Sequence, residues 1–305
     1  MVKEYLMLLC AAVLLAVFFV FNKFWQKRMG NTLVAGLAFN VILGALTAVV
    51  FFFIGGAVLQ FTLFSALLAA LMSVFVIAYT LLGFKIMDGG SMAMYSLFLM
   101  SGGMIVPYVF GLIYLNEDFS VLRTVGVAII TFAIVLSNLK GKGERTNVFQ
   151  LILCVSVFLL NGCVSVISKI HQVTKVYETV GTEQFVALAG VFKVIVAGGI
   201  MAALLCAKSK KTETAKCEIK KSLSSRKAVV ISIAVIVFAA ISDGVSYFLQ
   251  LLSASKLPAT VQYPIMTGGS MLLTSLAGVV VFRDRLSPKM IVSLALAFVG
   301  TLCFL

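Results

Sequence analysis

Apolar residues fall in long stretches along almost the whole chain, and mostly short polar gaps separate them. A helix needs about 20 residues to cross the ~30 Å hydrocarbon core of a bilayer. The stretches lack the alternation of apolar and polar positions that is typical of membrane β-barrels. The pattern predicts an all-α membrane protein with ten transmembrane helices, at residues 5–22, 33–54, 62–84, 91–115, 119–138, 148–168, 184–206, 228–250, 257–282 and 288–305.

Composition supports a lipid environment. Of the 305 residues, 62% are hydrophobic and 11% are charged. Soluble domains are about half apolar and about one quarter charged, so a water-exposed fold of this size could not bury so much apolar surface. We expect a multi-pass protein of the plasma membrane (the inner membrane in bacteria), in contact with lipid.

The net charge of +13 does not indicate a nucleic-acid partner, because the basic residues lie in gaps and not on one face with interleaved aromatics. Eighteen of the 24 lysines and arginines lie in or beside alternate gaps, and eight of these lie in the gap 208–227. Cytoplasmic loops are enriched in Lys and Arg. The pattern therefore predicts that these gaps face the cytoplasm and that both termini lie outside.

The second half of the chain repeats parts of the first. Residues 100–136 align with 267–303 at a constant shift of 167, which pairs Glu117 with Asp284. Residues 21–26 resemble 167–172, so that Lys23 corresponds to Lys169. Two related halves with an odd number of helices insert in opposite directions. We expect two inverted five-helix repeats, 1–138 and 148–305, with the basic loop 208–227 in the second.

Two segments resemble the last two helices of an EamA-type repeat. The first contains Met100-Ser101-Gly102-Gly103, Pro107, Gly111, Leu115-Asn116-Glu117-Asp118-Phe119-Ser120 and Gly126. The second contains Tyr263-Pro264, Gly268-Gly269, Phe282-Arg283-Asp284-Arg285-Leu286-Ser287 and Gly300. Over nearly its whole length the chain resembles the EamA-like family of the drug/metabolite transporter (DMT) superfamily. It departs from the family's usual Gly-Glu at the acidic turn, and family members are commonly described with cytoplasmic termini, which opposes the charge pattern.

The resemblance implies a transporter whose substrate cavity lies between helices 1–4 and 6–9, while helices 5 and 10 lie outside. Polar and aromatic residues of the inner helices are then candidates to bind substrate. For the uncharged ones, packing between helices is the alternative, and for the two asparagines it is the favoured one. The candidates are Asn40, Tyr79, Tyr95, Ser96, Tyr108, Asn161, Lys193, Asp243, Tyr247, Gln262 and Tyr263.

Lys193 and Asp243 are notable because both lie well inside apolar stretches. Counted from helix ends on the same side of the membrane, their depths are about 13 and 10 Å, so they can pair. Three interpretations remain open at this point. They are a structural ion pair, a proton or substrate-carboxylate site, and a lysine that extends to the membrane surface.

Small and helix-breaking residues mark helices 4 and 9. Gly102, Gly103, Gly268 and Gly269 predict close backbone contact where the two helices approach each other. Pro107 and Pro264 indicate kinks, either static or in a moving element. Lys23 and Lys169 are interpreted as interfacial residues at the ends of helices 1 and 6, with a gating role as the alternative.

The sequence predicts neither an enzyme nor a cofactor. It lacks a P-loop, a Ser/His/Asp arrangement and an HExxH helix, and its six cysteines lack metal-ligand spacing. We expect a secondary transporter of a small polar or amphiphilic metabolite, such as an amino acid or its derivative. Proton coupling through Asp243 is a hypothesis. The alternatives are a lipid-linked sugar flippase and a non-transporting membrane scaffold or sensor.

Overall fold

A computed structural model describes residues 2–30, 32–58, 60–89, 92–138, 148–207, 219, 225–283 and 287–304. The elements within these ranges are ten helices, and no strand occurs among them. In chain order they are α1 (Val2–Met29), α2 (Leu33–Ile54), α3 (Leu63–Gly89), α4 (Met92–Tyr114), α5 (Val121–Asn138), α6 (Val148–Val173), α7 (Thr182–Cys206), α8 (Arg226–Ala254), α9 (Ala259–Phe282) and α10 (Pro288–Leu302).

Eight of these helices, α1–α4 and α6–α9, are long and apolar enough to cross a membrane. The apolar part described for α5 is shorter, Val121–Ala133. α10 has 15 residues, or about 22 Å of helix, which is less than the ~30 Å hydrocarbon core. The all-α prediction is therefore confirmed, and the helices are those of a multi-pass membrane protein. Among the described residues, however, the full-length spans number eight and not ten.

Several helices continue past their predicted ends. α1 continues to Met29 and α6 to Val173, so Lys23 and Lys169 lie inside helices and not at their ends. The apolar pattern locates the part of a helix that contacts lipid. The backbone keeps its helical hydrogen bonds for one or two further polar turns, because those bonds satisfy its amides.

Large apolar side chains cover the outside of the bundle. Phe53, Leu63, Tyr114 and Val280 are each more than 60% exposed, and many more apolar residues are at least one third exposed. Soluble proteins rarely expose an apolar surface of this extent. Lipid is the solvent that such a surface fits.

The main helix contacts join the first half of the chain, α1–α5, to the second half, α6–α10. α2 packs against α7, α4 against α9, and α5 against α10. α1 packs against α8 and α9, whereas α6 packs against α3 and α4. Because α5 and α10 pack chiefly on each other, the other eight helices form the interior.

Asn116 and Arg283, which follow α4 and α9, both have left-handed backbones, with φ values of 49° and 55°. Such a conformation strains residues that carry a side chain by about 1–2 kcal/mol, and glycine adopts it without strain. A glycine at either position would avoid this strain. Asp284, the acid of the second turn, lies outside the described residues.

The predicted glycine contacts involve other helices than expected. A Cβ on Gly102 would collide with the carbonyl of Phe158 on α6, and a Cβ on Gly268 would collide with Thr301 on α10. For Gly102 and Gly268 the tightest contacts are therefore not those between α4 and α9. Between α4 and α9, a Cβ on Gly103 would lie 3.4 Å from Cγ2 of Thr267, and the Ser270 hydroxyl donates to the sulfur of Met100 over 3.4 Å.

The other two predicted glycines differ in how tightly they pack. A Cβ on Gly103 would lie 2.6 Å from Nδ2 of Asn161, whereas a Cβ on Gly269 would lie 3.4 Å from Cβ of Ala12, in ordinary contact. α4 and α9 continue through Pro107 and Pro264, so neither proline ends its helix.

Candidate functional site

A cavity of about 140 Å³ lies near the middle of the bundle. Its walls come from α1–α4 and α6–α9, and none of its lining residues belongs to α5 or α10. The lining residues come mainly from the central turns of these helices, for example Leu43 of α2 and Gly190 of α7. Among the described residues, no group of three or more His, Cys, Asp or Glu side chains is placed to hold a metal ion.

Lys193 of α7 and Asp243 of α8 form an ion pair on the cavity wall, with 3.5 Å between Nζ and Oδ2. The side chains are 10% and 22% exposed, which excludes the interpretation in which Lys193 extends to the membrane surface. Gly44 of α2 makes room for the lysine, because a Cβ there would lie 3.0 Å from Cβ of Lys193. The pair both links two helices and forms a charged surface of the cavity.

The two predicted asparagines line the cavity and also bond to backbone. Nδ2 of Asn161 donates to the carbonyl of Leu99 over 2.7 Å, which links α6 to α4. Nδ2 of Asn40 donates to the carbonyl of Gly36 in its own helix, over 2.9 Å. Asn161 therefore joins two helices, while Asn40 does not.

Three of the predicted tyrosines, Tyr79, Tyr95 and Tyr247, line the cavity from α3, α4 and α8. The Tyr95 ring occupies the space that a side chain at Gly83 would need. The Tyr247 hydroxyl lies 2.9 Å from Oγ of Ser168 on α6, at hydrogen-bond distance. The tyrosines give the cavity apolar ring faces with a few polar atoms at their edges.

Three other candidates are not among the residues that line this cavity. The Tyr108 hydroxyl lies 2.9 Å from Oγ1 of Thr124 on α5, away from the centre. Gln262 is fully buried and donates to the carbonyl of Gln250. Tyr263 is fully buried and donates to the carbonyl of Ser165 over 2.6 Å, behind the cavity wall.

The sequence shows which helices carry these polar residues, but it does not show which face of each helix points towards the cavity. For Ser96, the remaining candidate, the side chain lies outside the described part of the structure.

Several polar lining residues were not among the predicted candidates, including Asn22, Thr47, Ser165 and Ser168. A signal for two of them was present. Asn22 and Ser168 occupy equivalent positions in the segments 21–26 and 167–172, which resemble each other. For Thr47, a single threonine in an apolar stretch, no sequence signal distinguishes a lining residue from a packed one.

Two charged residues clamp the connection between α8 and α9, which is residues 255–258. Lys169 of α6 is buried, and its Nζ donates to the carbonyls of Ala254 and Leu257 over 2.8 and 2.7 Å. The Glu117 carboxylate accepts from the amides of Ala259 and Thr260 over 2.7 and 2.9 Å.

Each charge in this clamp complements the end of a helix dipole, the cation at the end of α8 and the anion at the start of α9. The interpretation of Lys169 as an interfacial residue is therefore wrong. Its cation is held by helix-end carbonyls inside the protein.

A second polar cluster joins α3, α6 and the start of α7 on the same side of the bundle as the clamp. His171 is buried and stacks on Phe185, with 3.6 Å between ring centroids. Its Nε2 lies 3.0 Å from Oγ of Ser65, and its Nδ1 lies 3.1 Å from Nε2 of Gln172. The Ser65 hydroxyl also accepts a hydrogen bond from the amide of Val180 over 3.1 Å. These bonds fix the loop before α7.

The fold has counterparts among solved structures, of which 28 chains match. One of them, reported as "Crystal structure of protein", has a TM-score of 0.67, and the similarity covers 99% of this chain and 96% of that chain at 14% identity. At that identity the likeness concerns the fold alone. No family model matches the chain. No curated protein matches it either.

Proposed function

We propose that this protein is a secondary transporter that carries a small polar or amphiphilic solute across the plasma membrane by alternating access. The observation that carries the proposal is the central cavity, which all eight long helices line and which contains the Lys193–Asp243 pair. Charged residues inside apolar spans are expensive, and they usually lie on a substrate or ion pathway. Tyrosine rings and the sulfurs of Met72 and Met100 also line the cavity and suit the apolar part of an amphiphile.

We also propose that residues 1–138 and 148–305 are inverted repeats related by a pseudo-twofold axis. Helix packing supports this relation. The contact of α1 with α8 has a counterpart in that of α6 with α3, and the contact of α1 with α9 has one in that of α6 with α4. α2, α4 and α5 each pack against the helix five places later, as an axis between the halves requires.

Individual contacts support the same relation. Gly44 and Gly190 contact each other and are 146 positions apart, as are Lys23 and Lys169. Gly102 packs on Phe158 and Gly269 packs on Ala12; the glycines are 167 apart and their partners are 146 apart. The shifts found in sequence thus recur in the contacts. An experimental structure whose halves do not superpose by a half-turn would contradict the repeat.

Transport in proteoliposomes tests the proposal. The purified protein is reconstituted, and counterflow of labelled metabolites is compared with that of protein-free liposomes. We expect saturable counterflow of at least one zwitterionic or amphiphilic solute. The double variant Lys193→Gln/Asp243→Asn should reduce it at least about tenfold, because both charges of the cavity are lost.

The matched control is Lys175→Gln/Glu178→Gln, which removes one exposed cation and one exposed anion from the connection between α6 and α7. This variant should transport like the unmodified protein. No counterflow of any metabolite would contradict a carrier and favour a scaffold or sensor. Counterflow that the cavity variant leaves unchanged would contradict the role of the Lys193–Asp243 pair in transport.

Proton coupling through Asp243 remains part of the proposal. A carboxylate that is mostly buried in the bundle can take up and release a proton as the cavity changes its exposure. We expect that Asp243→Asn abolishes accumulation driven by a pH gradient but retains part of the counterflow, which needs no gradient. Accumulation that still follows the pH gradient in Asp243→Asn would exclude this residue as the coupling site.

Orientation follows the charge pattern in this proposal, with the basic loop 208–227 in the cytoplasm. Cys217 belongs to this loop and lies outside the described residues. In a variant that keeps Cys217 as its only cysteine, an impermeant thiol reagent should label it in inverted vesicles and not in intact cells. The reverse result would place the loop outside.

The groove between α3, α4 and α6 gives no support to the flippase alternative. A lipid-linked sugar would need a polar or basic path for its head group. The residues that line this groove carry no charge, and Tyr114 is their only polar aromatic residue: Leu71, Phe75, Val106, Val109, Phe110, Tyr114, Cys163, Val166 and Ile167.

A further inference from the structure

We infer that Lys193, Asp243 and Thr47 form a head-group subsite for a zwitterion that carries an ammonium and a carboxylate close together, as in an amino acid. The carboxylate would bind Lys193 and Thr47, and the ammonium would bind Asp243. This inference rests on the proposed transport function and narrows its substrate class.

The first observation is that the ion pair is loose. Charge-assisted hydrogen bonds between an ammonium and a carboxylate are about 2.7–2.9 Å long, whereas Nζ of Lys193 and Oδ2 of Asp243 are 3.5 Å apart. Both residues line the cavity, and the Asp243 side chain keeps 22% of its surface exposed. A solute in the cavity can reach both charges.

The second observation is an unpartnered hydroxyl beside the pair. Thr47 lines the cavity and is buried, and its Oγ1 has no hydrogen-bond partner among the residues that the structure describes. Its Cγ2 would lie 3.6 Å from a Cβ on Gly244, the residue after Asp243. Leaving a buried hydroxyl unbonded costs free energy, and a ligand oxygen would remove this cost.

The third observation concerns the surroundings of Asp243. Tyr79 and Tyr247 line the same cavity as Asp243. The face of a tyrosine ring attracts a cation. An ammonium that binds Asp243 would therefore enter a cavity that also offers tyrosine rings.

Charge balance favours a zwitterion over other solutes. The pair is neutral as a whole, so a solute with a single charge would pair with one residue and leave the other buried and unpaired. A zwitterion that inserts between Lys193 and Asp243 gives each of them an opposite charge. The side of the solute that points away from the pair would contact Met72, Val76 and the tyrosines.

Binding to the full-length protein in nanodiscs of neutral lipid tests the subsite. The probes are leucine and phenylalanine, their amides, which lack the carboxylate, and their N-acetyl derivatives, which lack the ammonium. We expect at least one free amino acid to bind about tenfold or more tightly than both of its blocked forms. Equal binding of the three forms, or no binding by either amino acid, would overturn the inference.

Variants assign the two ends of the solute. Lys193→Gln should lose the preference for the free amino acid over its amide, and Asp243→Asn should lose the preference over the N-acetyl form. Thr47→Val keeps the shape of the side chain and should weaken binding of the free amino acid several-fold. The control Thr131→Val, on α5, should leave binding unchanged, because its hydroxyl bonds only within its own exposed helix face.

The charge-exchanged variant Lys193→Asp/Asp243→Lys keeps both charges and guards against loss of folding in the single variants. It should bind the free amino acid more tightly than either single variant does, and weaker binding would overturn the inference. Failure of the subsite and failure of transport are distinguishable. If counterflow occurs with a solute that is not a zwitterion, the subsite is wrong and the transporter proposal stands.

Discussion

Gly44 on α2 and Gly190 on α7 each place a carbonyl oxygen where a side chain of the other would begin. A Cβ on Gly44 would lie 2.8 Å from the oxygen of Gly190, and a Cβ on Gly190 would lie 2.7 Å from the oxygen of Gly44. Real Cβ atoms essentially never come within 3.0 Å of another heavy atom in this way. The contact sets the distance between two helices that line the cavity, and Lys193 follows Gly190 by one helical turn.

Alanine at either position should therefore destabilise the protein. We expect Gly44→Ala to lower the free energy of unfolding by about 1–3 kcal/mol, because the helices must separate to admit the methyl group. Thermal unfolding in detergent measures the change. Gly199→Ala is the control on α7, since a Cβ there meets nothing within 4 Å, and it should not lower the melting temperature. A stable Gly44→Ala would show that this contact does not fix the spacing.

Neutralising one partner of the Lys193–Asp243 pair should cost more than replacing both. Lys193→Met leaves the Asp243 carboxylate mostly buried without its counter-ion, which we expect to cost about 1–3 kcal/mol. Adding Asp243→Leu removes the stranded charge and should restore part of the loss. A double-mutant cycle on thermal or denaturant unfolding gives the coupling. If the two losses simply add, the ion pair contributes nothing to stability.

The clamp on the α8–α9 connection makes a separate prediction. Glu117→Gln should lower the free energy of unfolding by about 1–2 kcal/mol, because a charged acceptor at the start of α9 becomes a neutral one. Lys169→Met should cost at least as much, since two carbonyls lose their donor. Asp118→Asn changes the exposed neighbour of Glu117 in the same loop and should have no measurable effect. An equal loss in Asp118→Asn would indicate a general charge effect.

The cluster around His171 predicts an effect of a single hydroxyl. Ser65→Ala removes the partner of His171 and of the Val180 amide, so two buried polar groups lose a bond. We expect a loss of about 1–3 kcal/mol and faster amide exchange at residues 180–184. Ser255→Ala removes an exposed hydroxyl that donates to the carbonyl of Leu252 in its own helix end, and it should leave both measurements unchanged.

Hydropathy was sufficient to predict the fold class and the approximate positions of the helices. A helix that crosses a bilayer needs an apolar stretch of about 20 residues, and such stretches can be identified directly in the sequence. Helix ends were predicted less well, because polar turns at the ends of α1 and α6 remain helical for reasons of backbone bonding. α10 was predicted as a full span from its apolarity, although its helix has only 15 residues.

The cavity was predictable in part. The depths of Lys193 and Asp243 indicated a pair because charges in lipid need partners, and the structure brings them together. The faces of Tyr108, Gln262 and Tyr263 were not predictable, since membrane helices are apolar on all sides and give little rotational signal. The burial of Lys169 was missed for a related reason. Its partners are backbone carbonyls, and the pattern of side-chain types does not show where backbone carbonyls lie.

The clamp also affects the way in which the connection between α8 and α9 can be displaced. Two charges hold four backbone groups within residues 254–260. Because Lys169 is buried, its ammonium would lose two hydrogen bonds inside the protein if it left these carbonyls, which costs free energy. Displacement of this connection should therefore break the bonds of the clamp together, in one step with a steep dependence on temperature.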